Sequence, residues 1–383
     1  MVVRGRQSLR SLWLAMHLYL GLWLGGIIAL AGITGSVLVF YVELDALLNP
    51  ELAITEPDAP RQSYEAIYQA LRQAEPQRSS AWRLEIPRQA ESTISARYYN
   101  PQETEHKGFA PLIVSVNPYT VQVMKQRFWG EYAMTWLYDL HYTLLLGPLG
   151  KIVMAMIGAI LLLSLISGVY LWWPPRHKWR AALTYKRGAS RQRVVYDLHK
   201  LAGIYGFIVL LGLTLTGIAL EIPDYVNPLI DRVSPLQKTA KPKSQVPQLT
   251  PLPHRLTLDQ ALEIAQRVFP NADLCWIETP DSSEGSYRFN FRQQGEPSRR
   301  FPKTNVWIDQ YSGAILQVHD PRTFSAGDSL LTWFHPLHSG EALAMPGRVL
   351  VLLTGMLCPL LFITGVVRWT QKRKAQRLRQ SMR

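Results

Sequence analysis

The chain has few cysteines, two in 383 residues, and Cys275 and Cys358 do not form a CxxC pair. That scarcity argues against a thiol–disulfide relay and against an iron–sulfur centre held by cysteines. No G-x-G-x-x-G segment opens a helix after a strand and no P-loop sequence occurs, so flavin, nicotinamide and nucleotide domains are not expected. A hydrolase triad is not evident either. The chemistry of this chain is therefore expected to depend on other residue types.

Acidic residues are outnumbered, with 28 Asp and Glu against 41 Lys and Arg. The basic excess is concentrated at the N-terminus, in residues 174–197 and in the tail from Arg368 onward, whereas the two long polar segments are nearly neutral. Short basic loops stay in the cytoplasm. Both termini and the 174–197 loop are thus predicted to be cytoplasmic, and both polar segments external. Because the charge serves as this topological signal, no nucleic-acid partner is expected.

Four apolar stretches are long enough to cross a bilayer, which needs ~20 helical residues. They cover about residues 11–41, 147–173, 199–221 and 347–369. The first is too long for a signal-peptide core and lacks a clear cleavage site, so it is interpreted as a retained span. The predicted organisation is an N-terminus and first transmembrane helix (1–41), an external domain (42–135), an outer histidine segment and second helix (136–173), a cytoplasmic loop (174–197), a third helix (198–221), a second external domain (222–334), an outer histidine segment and fourth helix (335–369), and a cytoplasmic tail (370–383).

The second half of the chain repeats the first and keeps histidines at matched positions. His17 and His199 are each followed by Gly at +4 and by a Thr-Gly pair at +17 and +18; His141 and His338 share Trp at −5, Gly at +9 and a base at +10. An intramembrane histidine is costly and usually functional, although a hydrogen bond between helices is the plainer alternative. Four matched histidines predict paired ligands for a group buried in the membrane.

The two polar segments also match each other. Ser63 and Thr257 are predicted N-caps of amphipathic helices, each with an acidic residue two positions on, Glu65 and Asp259. Three strand-like runs follow in each segment, and residues 233–254 are interpreted as a linker. The predicted fold class is therefore an α+β membrane protein with four transmembrane helices in two parallel repeats, each carrying an external domain of one helix on a small antiparallel sheet.

The HLYLGLWLG, DLHKLAGIY, LHYTLLLG and LHSGEALAMPGR segments, together with the helix-plus-sheet external units, resemble the PepSY-associated transmembrane family. The resemblance is to its FoxB-like ferrisiderophore reductase branch, proteins of the bacterial inner membrane, and covers nearly the whole chain. It implies haem binding and electron delivery to iron chelates on the outer side.

The depth of the histidines predicts how they pair around haem. His17 and His199 lie ~10 Å in from the basic inner edge, whereas His141 and His338 lie at the outer edge, and one macrocycle cannot bridge the ~30 Å between these levels. The expected axial ligands are therefore His17 with His199 for an inner haem b and His141 with His338 for an outer haem b, two haems per chain.

Five further residues are weaker candidates. Gly21 and Gly203 lie one turn from the inner histidines and could let a haem ring approach the backbone, or could serve close helix packing. Lys151 and Arg348 could neutralise haem propionates, or could be bases that reach the interface at span ends. His335 could act near the outer haem as a proton donor or substrate contact, replace His338, or be a surface residue. His106, His254 and His319 are expected to be solvated.

The function expected from these features is a di-haem reductase that passes electrons from a cytoplasmic or quinol donor across the bilayer to a periplasmic ferric siderophore, releasing Fe(II). One alternative is a transporter of iron chelates or metal ions, although intramembrane carboxylates are scarce. The other is a peptidase-regulating or signalling protein, which would leave the four histidines unexplained.

Overall fold

The computed structural model describes residues 2–55, 57, 60–237, 240–248 and 254–382, of which residues 2–8 by their backbone alone. Part of the expected linker, residues 238, 239 and 249–253, lies outside the described residues, as do the side chains of the N-terminal bases at positions 4 and 6. The chain divides into two compact units. We call Met1–Phe40, Tyr138–Val226 and Leu337–Arg383 the helical unit, and Tyr41–Leu137 with Asn227–Pro336 the sheet unit.

The regular elements alternate between helical and strand-rich stretches. The helices are α1 (Val2–Trp23), α2 (Gly25–Leu38), α3 (Tyr41–Leu48), α4 (Tyr64–Ala74), α5 (Ala133–Thr143), α6 (Gly147–Trp172), α7 (Trp179–Ala182), α8 (Arg191–Glu221), α9 (Pro223–Asp231), α10 (Leu258–Val268), α11 (Ala326–His338) and α12 (Ala344–Ser381). The strands are β1 (Trp82–Glu85), β2 (Ile94–Tyr98), β3 (Leu112–Val116), β4 (Val123–Phe128), β5 (Asp273–Glu278), β6 (Ser286–Arg292), β7 (Thr304–Asp309) and β8 (Ile315–His319).

Three helices of the helical unit, α6, α8 and α12, are long and apolar enough to cross a membrane. The first predicted span is instead a pair of helices, α1 from Leu9 and α2, bent by 59° at their junction. Gly25 and Gly26 follow the break, and successive glycines weaken a helix at such a point. The part of the chain that the structure describes thus has three candidate membrane spans, or four if the bent pair crosses as one.

Small residues let α2 and α12 approach closely. A Cβ atom built on Gly32 would stand 2.5 Å from the carbonyl oxygen of Gly355, and one built on Gly355 would stand 2.3 Å from the hydroxyl of Ser36. That hydroxyl donates to the carbonyl of Leu352 on α12 at 2.9 Å. Close backbone contact between helices is how small residues hold spans together where no hydrophobic effect drives association.

The sheet unit is built on one antiparallel sheet of eight strands in the order β4-β3-β2-β1-β5-β6-β7-β8. The sequence predicts a separate small sheet for each polar segment, whereas the structure joins the two through β1 and β5, where Leu84 lies opposite Ile277. Alternating apolar side chains such as Trp82, Leu84, Ile277 and Phe289 are fully buried on one face of the sheet. Helices α4 and α10 supply Ile67 and Leu258, among others, to the same core.

The predicted N-caps are confirmed, and the acidic residue two positions after each cap has a further role. Ser63 accepts a hydrogen bond from the backbone of Ala66, and Thr257 forms a capping box with Gln260. Asp259 of α10 also accepts from two backbone N–H groups of α4, those of Tyr64 and Glu65, both at 3.0 Å. Glu65 returns the contact by accepting from Leu258 at 2.8 Å. Each helix therefore caps the other.

Candidate functional site: two facing histidine pairs

We keep the names inner and outer, which follow the orientation predicted from the sequence, for the two histidine pairs. The inner pair consists of His17 on α1 and His199 on α8. The centroids of the two imidazole rings are 6.2 Å apart, with an interplanar angle of 87°. The two residues are 182 positions apart in sequence, at matched places in the two halves of the chain. The structure thus brings together the two histidines that the sequence pairs.

The outer pair consists of His141, near the end of α5, and His338, the last residue of α11. Their ring centroids are 6.3 Å apart and their planes make an angle of 48°. The carbonyl of Leu213 on α8 accepts a hydrogen bond from His338 at 3.0 Å. Leu213 lies fourteen residues beyond His199 on the same helix, so the two pairs are separated by about 21 Å along α8 at ~1.5 Å per residue.

All four imidazoles are held through Nδ1 in the same way. Each Nδ1 contacts a backbone carbonyl and the hydroxyl three residues further along a neighbouring helix. The hydroxyl distances are 2.9 Å for His17 to Ser167, 3.0 Å for His141 to Thr34, 2.9 Å for His199 to Thr364 and 3.1 Å for His338 to Thr216. The carbonyls belong to Ser164 for His17, Leu361 for His199, Leu213 for His338 and Ala31 for His141.

These contacts fix the tautomer. A carbonyl oxygen only accepts, so Nδ1 carries the proton and donates it. The Ser and Thr hydroxyls give their own protons to carbonyls of their own helices, as Thr364 does to Leu360 at 2.6 Å and Thr216 to Gly212 at 2.7 Å. Nε2 of each neutral ring therefore keeps its lone pair, as a ligating imidazole with an oriented second nitrogen requires.

A glycine directly follows each of the four hydroxyl residues and lies against the same imidazole. A Cβ atom would stand 2.8 Å from Cε1 of His141 at Gly35, 3.0 Å from His338 at Gly217, 3.3 Å from His17 at Gly168 and 3.6 Å from His199 at Gly365. The Ser/Thr-Gly pair thus provides a hydrogen-bond acceptor and the space for the ring. Four Ser/Thr-Gly pairs of the sequence form such contacts. Spacing from the histidines indicates only two of the four, Thr34-Gly35 and Thr216-Gly217, and does not predict that the hydroxyls contact the rings.

The spacing of each pair suits a metal held between opposed imidazoles. A ligating nitrogen lies about 2 Å from its metal, and a ring radius of about 1 Å on either side brings the expected centroid separation to about 6 Å. Two histidines fill only two of the coordination positions of a metal ion. Among the described residues, no group of three or more His, Cys, Asp or Glu side chains is arranged to hold an ion. A planar macrocycle that supplies its own four nitrogens, as haem does, fits this donor set.

Four of the weaker candidate residues, two glycines and two bases, differ in what surrounds them. Gly21 would have open space around a Cβ atom, and one on Gly203 would meet only Leu361 at 3.8 Å. Lys151 lies 5.0 Å from the ring centroid of Tyr142. Arg348 donates from Nη2 to the carbonyl of Val39 at 2.7 Å, which satisfies the C-terminal end of α2.

The unmatched histidines divide into exposed and buried ones. His106 and His254 are exposed, as expected. The prediction for His319 was wrong, because this side chain is only 8% exposed and packs edge-on against Trp307 at 4.6 Å. His319 ends β8, a strand that the sequence pattern did not indicate. His335 lies edge-on to Phe301, with ring centroids 4.5 Å apart.

Comparison with protein families matches the chain to the family described as the PepSY-associated TM region, over residues 14–372. The match includes all four paired histidines and both polar segments. Among curated proteins, none matches the chain significantly.

Proposed function

The chain belongs to the PepSY-associated transmembrane family, and from that premise we propose that it is a di-haem reductase of the bacterial inner membrane acting on ferric siderophores. His17 with His199 would hold one haem b, and His141 with His338 the other. When bound, haem with two histidine ligands supplies one-electron transfer with no coordination position left for oxygen. The observation that carries the proposal is the two facing pairs, in which every Nδ1 is fixed and every Nε2 is available.

The proposed reaction is a one-electron reduction on the outer side. Each ferric ion in its siderophore gains one electron and becomes ferrous, and the hard oxygen ligands then hold it less tightly. The electron comes from a quinol or a reduced carrier on the cytoplasmic side, which is oxidised. The basic residues of the 174–197 loop and of the tail favour a cytoplasmic location for these segments, and hence an external one for the sheet unit.

The contacts between Nδ1 and the Ser and Thr hydroxyls match in the two halves of the chain, and they support two parallel repeats in the proposed arrangement. Ser167 and Thr364 occupy corresponding places in the two halves and hold His17 and His199, while Thr34 and Thr216 do the same for His141 and His338. Each ring is thus held by its own half of the chain and faces a ring from the other half. A pseudo-twofold axis near the membrane normal relates halves of this kind.

Haem content measured as a pyridine haemochromogen tests the proposal. We expect two b-type haems per wild-type chain, and one in each of the His17→Ala and His141→Ala variants. His106→Ala, which removes an exposed histidine, is the matched control and should keep both. Preparations without b-type haem, or a His17→Ala variant that retains the full content, would refute the assignment.

A further inference from the structure

One row of directly opposed residues crosses the entire eight-stranded sheet on the face away from α4 and α10. The strand registers place four arginines in this row, together with a single glutamate and three uncharged residues. In strand order the row is Arg127, Ile113, Arg97, Arg83, Glu278, Arg288, Trp307 and Gln317. We call these eight residues the arginine row.

The arginine row is poorly explained as a device for sheet stability. Arg83 lies directly opposite Arg97, and like charges in that relation destabilise a sheet. Glu278 is shared, with Oε1 3.2 Å from Nε of Arg83 and Oε2 3.4 Å from Nη1 of Arg288. Burial lowers the pKa of the Arg288 guanidinium, and Arg83 lowers that pKa further against the opposing effect of Glu278. The centre of the row therefore holds more positive charge than its own carboxylate offsets.

The outer arginines are better compensated, but they keep unused donors. Arg97 pairs with Glu85 at 2.8 Å and Arg127 with Asp45 at 3.1 Å. Even so, among the described residues the buried Nε atoms of Arg97, Arg127 and Arg288 have no hydrogen-bond partner. Because these Nε atoms are themselves buried, a ligand would have to be met by the Nη atoms of the same planar guanidinium groups.

Aromatic rings lie against the same guanidinium groups. The Arg83 guanidinium carbon is 3.6 Å from the ring centroid of Trp276, and that of Arg127 is 3.9 Å from Tyr132. Arg97 lies 5.5 Å from Trp129. Cations alternating with aromatic faces match a ligand that is both anionic and built from planar aromatic groups.

We propose that the arginine row binds an anionic, aromatic ferric chelate of the catecholate class. The proposal rests on the proposed function for the claim that the chelate is a substrate, and it narrows that substrate to polyanionic catecholates over neutral hydroxamates. Each catecholate presents two adjacent oxygens to a guanidinium fork and a flat ring to the aromatic side chains. Side-chain exposures of 12% for Arg83, 15% for Arg97 and 24% for Arg288 leave these side chains partly accessible.

Calorimetric titration of the full-length protein with gallium(III) tris-catecholate tests this proposal. Gallium(III) in such a chelate is not reduced under these conditions, so binding is measured whether or not the protein transfers electrons, and failure here is distinct from failure of the reductase function. We expect the Arg83→Gln/Arg288→Gln variant to bind at least ~10-fold more weakly, because two charge-assisted contacts are lost. Arg72→Gln, on exposed α4 at the opposite face, should bind as the wild type does.

Two further titrations make the result decisive. Neutral gallium(III) tris-acetohydroxamate should bind more weakly than the catecholate, and catecholate binding should weaken as salt is added. Equal affinity of the Gln variant and the wild type, or equal binding of the two chelates, would overturn the proposal. If the Gln variant does not fold, the Arg83→Lys/Arg288→Lys variant takes its place, and undiminished affinity without the guanidinium forks would count against the proposal.

Discussion

At the scale of the residue, the hydrogen bonds of Nδ1 support the proposed ligand role of each histidine as much as the facing of the rings does. Hydroxyl and carbonyl acceptors on the neighbouring helix hold Nδ1, and such second contacts orient metal-ligating imidazoles in proteins generally. The matched histidines could be found in the sequence because their spacing survives in both halves. Their acceptors could not, because Ser167 and His17 are 150 residues apart and only the folded helices bring them together.

Removing one of these hydroxyls should loosen a ring without removing a ligand. We expect Thr364→Val to retain the proposed inner haem initially but to weaken its binding by about 10-fold or more, the range seen when such second contacts are lost. Haem loss during dialysis and the low-spin electron paramagnetic resonance signal measure the effect. Thr370→Val, which removes an exposed hydroxyl on the same helix, is the control; identical behaviour of the two variants would contradict a positioning role.

The four glycines beside the imidazoles predict a graded response to alanine. Gly35→Ala places a methyl group 2.8 Å from His141 Cε1, and should displace that ring and cause loss of the proposed outer haem alone. Gly365→Ala meets His199 at an ordinary 3.6 Å and should keep both haems. Optical haem quantification of the two variants checks this order, and the reverse order would disprove the packing argument.

At the scale of the element, strand prediction succeeded for the buried strands and failed at the sheet edges. The strand-like runs at 82–87, 94–99, 112–120, 275–280, 286–291 and 305–313 predict six strands, and the structure confirms them as β1, β2, β3, β5, β6 and β7. Of these, β3 is buried throughout. The edge strands β4 and β8 were missed, because VMKQRF and ILQVH alternate weakly and carry the polar residues that edges tolerate. The pairing of β1 with β5 could not be predicted from the sequence either, because each polar segment contains enough strands to form a sheet of its own.

The reciprocal caps of α4 and α10 predict a stability effect across both segments of the sheet unit. Asp259→Ala leaves the backbone N–H groups of Tyr64 and Glu65 without their carboxylate, and should lower the free energy of unfolding by about 1–3 kcal/mol. Thermal unfolding followed by circular dichroism measures the change. Glu263→Ala, an exposed acidic position on α10, should have little effect; equal losses in the two variants would show that the caps contribute nothing specific.

At the scale of the whole molecule, the proposed function and the two histidine levels together predict electron transfer in two steps. The basic loop and tail favour one orientation in the membrane, while the pairs stand about 21 Å apart along α8. Neither pair alone connects the two sides. Two steps in series imply that loss of either pair stops transfer across the membrane, but that only loss of the outer pair stops reduction by a donor already outside.

Proteoliposomes with a reductant trapped inside and an impermeant ferric chelate outside separate these steps. We expect His17→Ala and His141→Ala each to slow the appearance of external Fe(II) by at least ~10-fold, while His254→Ala, which changes an exposed histidine, transfers at the wild-type rate. With an impermeant reductant supplied outside, His17→Ala should recover most of the protein-dependent rate, because the outer pair is intact, and His141→Ala should not. A His17→Ala variant that still transfers electrons from the inside at full rate would show that the inner pair is not on the route, and the proposed series of two sites would fail.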